Sequence, residues 1–429
     1  MKNKWLSIVL AATLFSGCSM RVIQPDIEVR EGYVLAMPDT TDLVVNLEWW
    51  TMFGDTTLNR LIKVALANNH DLAAAASAVE QSRYSLAVAR ASFLPNFGVK
   101  ASAEGEYTEV EGTRRAIEQE YFIQPDMSWQ ISLFGALKSS TDAARAEILS
   151  SEYAYRGVML SLVTQVAEAY FQWLEYARSL AIAERSYALR VQEQAKIDSM
   201  YGYGFSSAID LLQARGMTAT AAADIPQYRR AMVQANLALN ELLGQNPDML
   251  LSPELMNSYP QDTLLCRGLV PAQLPYYVPV GLPSDLLERR PDVLKAYYDM
   301  AAAAAKVRYA RAQRFPSVNL TASGGVLDNT VKGLFDGNPF YWNAIGAISQ
   351  PIFSWGAARN NERIAFEVYR QSVSEYEKSV LTAVTDVEKA LIGIRTYDNQ
   401  LADFLPVLTS NCRLHRLTYE LYSNGMTSY

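Results

Sequence analysis

Histidine and cysteine are the side chains that most often act as nucleophile, general base or transition-metal ligand, and this chain offers few of either. Its two histidines, His70 and His415, lie 345 residues apart, and its three cysteines stand at 18, 266 and 412. No zinc-ligand spacing and no Cys/His pair can be drawn from them. A Gly-x-Ser-x-Gly nucleophile turn is absent too. Catalysis, a metal and a bound cofactor are therefore not expected. Nucleic acid is an improbable partner as well, because 38 basic side chains stand against 45 acidic ones, a formal charge of -7 with no basic stripe to neutralise phosphates. Half of the 429 residues are apolar and 19% are charged, the composition of a folded chain long enough for several domains or one elongated unit.

One cysteine does have a chemistry. Lys2 and Lys4 precede an apolar run from Trp5 to Phe15, which meets Ser16-Gly17-Cys18. The run is too short to span a bilayer as a helix but has the length of a signal-peptide core. Small residues before a cysteine resemble the bacterial lipobox, so residues 1–17 are read as a signal peptide and Cys18 as the site of lipid attachment. Ser19 in place of Asp favours sorting to the outer membrane. Loss of Lys2 and Lys4 would take the charge from -7 to -9. Residues 18–56 are then an acylated N-terminal extended segment. Cys266 and Cys412 are expected to remain unpaired thiols.

The elements that follow are written twice. Pro95 recurs as Pro316, and the same shift of 221 carries Asp71 to Asp292, Gly135 to Gly356, Thr164 to Thr385, Tyr201 to Tyr422, Gly204 to Gly425 and Ser207 to Ser428. Repeat 1 is placed at 57–246, with a helix, a β-hairpin at 94–135, a long helix at 138–200 and a return helix at 205–243. A connector at 247–282 separates it from repeat 2 at 283–429, which has a β-hairpin at 315–354 and a long helix at 357–422. Residues 247–291 hold eight of the seventeen prolines, which excludes long helices there. A second return helix would run to about residue 464, beyond Tyr429, so repeat 2 is expected to lack it.

Phe97, Val99, Ala101 and Ala103 alternate with Gly98, Lys100, Ser102 and Glu104, and Tyr121 to Leu133 alternate likewise, so each strand has one apolar and one polar face. No proline interrupts the chain between Pro125 and Pro226, which allows a helix on the order of 90 Å. Two adjacent seams run along it. One holds Tyr155, Met159, Leu162, Val166, Ala169 and Trp173, and the other Val163, Ala167, Tyr170, Leu174, Ala177 and Ala181, as in a helix with neighbours on both sides. Pro406 is expected to kink the second long helix. With no apolar run of eighteen residues after the signal, a membrane could be crossed only by strands closed into a barrel, and four strands need several chains to close it. The fold class expected is a mixed α+β membrane protein with four barrel strands per chain and long helices. A periplasmic coiled-coil lipoprotein scaffold without a pore is the alternative.

Gly281-Leu-Pro-Ser-Asp-Leu-Leu-Glu-Arg-Arg-Pro-Asp-Val293, Trp49-Trp-Thr-Met-Phe53, the Pro95 and Pro316 strand entries, Gln350-Pro-Ile-Phe-Ser-Trp-Gly356 and the two Tyr-x-x-Gly-x-x-Ser turns resemble the outer-membrane factors of tripartite efflux systems, the TolC and OprM type, lipoprotein branch. The resemblance implies a homotrimer whose twelve-stranded β-barrel in the outer membrane continues into a long α-helical barrel across the periplasm. It implies as partners a periplasmic adaptor and an inner-membrane pump, with small molecules or ions exported. It also implies a periplasmic aperture at the turns, formed by Tyr201, Gly204, Ser206, Asp210, Tyr422, Gly425 and Thr427. Apart from the resemblance, Pro291-Asp292 reads as a helix start and Arg289 and Arg290 as structural side chains.

Overall fold

The computed structural model describes residues 48–108, 116–251, 289–336, 340–423 and Met426. Cys18, Cys266, Gly425, Thr427 and most of the Pro-rich connector lie outside the described residues. In chain order come a 3-10 turn at Trp49–Phe53, α1 (Thr56–Asn68), α2 (His70–Ala91), β1 (Asn96–Thr108), β2 (Ala116–Ile131), α3 (Ala136–Gly202), α4 (Ala208–Leu242), α5 (Pro291–Ala312), β3 (Ser317–Asp328), the short α6 (Gly333–Asp336), β4 (Phe340–Ser349) and α7 (Ala357–Ser423). Helices α2 and α5 start and end 221 residues apart, and so do α3 and α7, each of 67 residues.

Four antiparallel strands form one sheet in the order β1-β2-β3-β4. Register carries the alternation across all four. Phe97 faces Met127, Met127 faces Ala322 and Ala322 faces Ala344, while one residue along Gly98, Asp126, Ser323 and Asn343 make the neighbouring row on the opposite face. Gly325 has a packing reason to lack a side chain. A Cβ there would come within 2.1 Å of the Ile123 carbonyl oxygen, and across that gap the Tyr341 hydroxyl donates to Gln124 Oε1.

The chain divides into two compact units. The first is made chiefly of Ser77–Ala154 and Leu287–Thr382. It holds the sheet and a small core in which Met300, Ala303, Ala304 and Val307 of α5 meet Tyr369 and Val373 of α7. On its other side α5 is tied to α3 by Lys306 with Glu147 (2.7 Å), Ser150 with Asp299 (2.5 Å) and a Tyr153–Tyr298 stack. Pro291 opens α5, and the Arg290 fork onto Asp292 (2.7 and 3.0 Å) makes that arginine structural.

The second unit is made chiefly of Arg30–Ala76, Tyr155–Leu286 and Ala383–Tyr429. Its core packs Leu58, Ile62 and Ala65 of α1 against Val166, Tyr170 and Trp173 of α3 and Leu239 of α4. Both seams of α3 are occupied, except that Ala181 is exposed and Leu180 takes the buried place. Asp55 fixes the entry to α1 twice over: Oδ1 accepts from the Thr57 and Leu58 N–H groups and Oδ2 from the buried Tyr170 hydroxyl at 2.7 Å. Two fully buried asparagines hold the chain leaving α4, since Asn236 and Asn240 both donate to the Asp248 carbonyl at 2.7 Å. Cys412 is disulfide-bonded, which corrects the expectation of an unpaired thiol. α7 runs as helix through Pro406.

Candidate functional site

Two regions present the groups a conduit needs. The first is the sheet. Its apolar face exposes Phe97, Val99, Trp342 and Ile348, and lipid is the environment in which such a face costs nothing. Trp129 lies on the same face near the strand ends, with its indole N–H donating to the Phe93 carbonyl at 2.9 Å, an amphipathic placement that suits a membrane interface. The opposite face carries Lys100 and Asp126, 3.6 Å apart, with Gln124 and Ser128. Phe122, Leu327 and Ile345 share this face, so it is mixed rather than uniformly polar. Tyr341 is separated from its neighbour Trp342 by the alternation along β4. Register puts it on the polar face beside Gln124, because Tyr341 opposes Gly325 and Trp342 opposes Gly324. Ser132 also has a different role from the lumen residue that alternation suggests. It falls after β2, and its Oγ accepts the Leu137 N–H that opens α3.

The second region is the turn from α3 to α4. The Phe205 N–H donates to the Met200 carbonyl (2.8 Å) and the Gly204 N–H to the Tyr201 carbonyl (3.0 Å), with Gly204 at φ +81, a left-handed C-cap that closes the helix within two residues. The Met426 N–H repeats the first of these bonds onto Leu421, 221 residues on. Helix α4 then starts at once. Ser207 and Asp210 form a capping box, in which the Asp210 N–H donates to Ser207 Oγ (3.1 Å) and Asp210 Oδ2 accepts from the Ser207 hydroxyl (2.7 Å), the Ser207 N–H (3.1 Å) and the Ser206 hydroxyl (3.2 Å). These donors, the Ser207 hydroxyl foremost, hold the Asp210 carboxyl below its ordinary range although it is open to solvent.

The structure thus brings Tyr201, Gly204, Ser206 and Asp210 together in one turn and places Tyr422 in the last turn of α7. Gly425, Thr427 and the lipid site Cys18 lie outside the described residues. The turn also displays Tyr203, Phe205 and Ile209, each three-quarters or more exposed. Sequence reasoning passed over these three. The signal was present in an apolar run set at a turn glycine, where apolar residues have no core to fill. Among the described residues no group of three or more potential ligands could hold a metal, and no helix is long and apolar enough to cross a membrane.

A sheet greasy on one face and two helices of 67 residues describe a membrane-inserted channel component. The profile of the outer membrane efflux protein family matches residues 61–245 and 282–429, and the chain belongs to that family. It is 32% identical to the toluene efflux pump outer membrane protein TtgF of Pseudomonas putida, over 100% of this chain and 89% of that one. It is 31% identical to the cation efflux system protein CusC of Escherichia coli, over 97% of this chain and 89% of that one. A solved structure of CusC matches with a TM-score of 0.78 at 28% identity, covering 94% of this chain and 90% of that one. The CmeC outer membrane channel of Campylobacter jejuni shares the fold, with a TM-score of 0.85 at 23% identity over 96% and 86% of the two chains. The chain is accordingly the outer-membrane component of a tripartite efflux system, spanning the outer membrane and extending into the periplasm.

Proposed function

We propose that three copies of this chain close a twelve-stranded barrel in the outer membrane and continue it as a helical tunnel through which small molecules or ions leave the cell. The observation that carries the reading is the four-stranded sheet with an apolar face and two edges, β1 and β4, that no other strand pairs among the described residues. Four strands enclose no lumen, and an unpaired edge in hydrocarbon costs several kcal/mol per unsatisfied group, so both edges require strands from other chains. Conduction involves no catalytic step. Energy comes from an inner-membrane pump, coupled through a periplasmic adaptor. Relatives of similar identity are named for toluene and for cations, so kinship favours neither cargo.

Cys18 carries the lipid anchor in this reading. The α3–α4 turn, with its equivalent after α7, forms the periplasmic mouth, where Tyr201, Gly204, Ser206, Tyr422, Gly425 and Thr427 narrow the passage and Asp210 adds one carboxylate per subunit. Exposed Tyr203 and Phe205 give the adaptor an apolar foothold. Native mass spectrometry of the channel in detergent is expected to give three chains per particle, each starting at an acylated Cys18, and Cys18→Ala to abolish the acyl mass. A monomer in which the barrel stays folded overturns the trimer. An unmodified N-terminus at another position overturns the anchor.

A further inference from the structure

The ladder between β2 and β3 is interrupted. Pairing runs from Tyr121 opposite Asp328 to Ile123 opposite Val326, lapses at Gln124 and Pro125, and resumes with Asp126 opposite Ser323. Sequence accounts for the lapse. Pro125 has no N–H to give to a ladder, and Gly324 and Gly325, which stand opposite, bring no side chains to the gap. The two faces of this thin spot are finished differently. On the polar face Tyr341, the cross-strand partner of Gly325, donates its hydroxyl to Gln124 on β2, and Gly325 is buried beneath it. A second tie on that face, Lys100 with Asp126 at 3.6 Å, joins β1 to β2.

On the apolar face the same spot lies in a cleft of about 620 Å³. The cleft is a gap between two rows of side chains, one through Met127 and Ala322 and the next through Pro125 and Gly324. Asp126 and Ser323 also line it, and because their side chains belong to the other face they contribute backbone as its floor. Phe97, Val99 and Trp342 stand around it, 73%, 72% and 73% exposed, whereas Ala322, Gly324 and Ala344 keep its centre low. Its depth in the membrane follows from the strand ends. Phe97 is the second residue of β1, and Trp129, two residues beyond Met127, ties its indole to the Phe93 carbonyl just before the strand. The cleft therefore opens in the half of the sheet next to the helices, which is the periplasmic leaflet.

We propose that this cleft holds one acyl chain of a phospholipid from the periplasmic leaflet, one per subunit. The inference rests on the reading of the apolar face as the membrane surface and adds a defined lipid site to it. The cleft is continuous with that face, so hydrocarbon is the medium that reaches it. Left empty, its lining would forfeit the dispersion contacts that a close-packed neighbour supplies, and its apolar walls offer water no partners. A chain lying between Met127 and Trp342 recovers those contacts. It also seals from outside the stretch of lapsed pairing that Tyr341 covers from inside. Phospholipid surrounds every subunit, so the site is filled whether or not Cys18 is acylated.

Native mass spectrometry tests the site on the channel reconstituted into vesicles of phosphatidylethanolamine and phosphatidylglycerol and then released in mild detergent. The wild type is expected to retain one phospholipid per subunit as free lipid is diluted away. Ala322→Phe and, separately, Ala344→Phe place a ring in the cleft and are expected to lower retention by roughly fivefold or more. Ala347→Phe, on the opposite face, and Cys18→Ala are expected to match the wild type. The mass of the assembly reports folding in each variant, and should one of the two cleft variants not assemble, the other carries the comparison. Equal retention in Ala322→Phe, Ala344→Phe and Ala347→Phe shows a fluid annulus without a site and overturns the inference, leaving the membrane reading of the sheet intact. Loss of retention in Cys18→Ala shows that the chain's own anchor fills the cleft and overturns the phospholipid assignment. A wild-type chain that never inserts into the vesicles overturns the membrane reading and the site with it.

Discussion

At the scale of single residues, Asp210 shows how one carboxylate serves two ends. Its Oδ2 completes the capping box that starts α4, and the same group is open to solvent at the turn. Because the folded-state pKa is depressed, the carboxylate's contribution to the helix start is complete above the unfolded value near 3.8 and is lost as pH falls through the lower folded value. The cap is thus intact throughout the mildly acidic and neutral range. Ser207→Ala is expected to speed amide hydrogen exchange in the first turn of α4 by roughly fivefold and to leave mid-helix protection unchanged. Equal protection in the variant would show that the box contributes nothing. Gly204, Ser207 and Asp210 were legible as a helix stop and start because caps are written in local sequence. The three bonds gathered on Asp210 Oδ2 were not, since they depend on how tightly the turn closes. The contact of the Tyr341 hydroxyl with Gln124 was not legible either, since it joins residues 217 positions apart.

The elements were the most readable level. Strand alternation and helix length follow from period and from the absence of proline, and the repeat supplied the hairpins and the long helices twice. Alternation fails where chemistry is mixed, as at Phe122 and Ile345 on the polar face, and it says nothing of neighbours, which is why the tie between Asp55 and Tyr170 appears only in the fold. The sheet yields a direct prediction. Val99 is on the exposed apolar face, and the next residue, Lys100, already places a cation on the other face beside Asp126. Val99→Lys is expected to cost about 2 to 4 kcal/mol of insertion if it lies near the midplane, whereas Ser102→Lys on the Lys100 face is expected to be mild. Urea-gradient refolding into vesicles measures both. Similar losses for the two would contradict the assignment of one face to lipid and one to lumen.

For the whole molecule, the proposed threefold symmetry would set the chemistry of the pore. Three Asp210 carboxylates around one axis would favour cations at the mouth. Asp210→Asn keeps an oxygen acceptor for Ser207 while removing the charge, so a fall in cation preference under a salt gradient is expected with little change in stability. Tyr422→Phe is expected to raise conductance if its hydroxyl helps hold the mouth closed. Unchanged behaviour in both variants would move the constriction elsewhere. The central claim is that the chain, assembled, forms a water-filled path. Single-channel recording of the purified protein in planar bilayers tests it most directly: discrete conductance steps that scale with salt concentration are predicted, whereas a silent bilayer containing verified folded trimers would contradict the account and favour a scaffold without a pore.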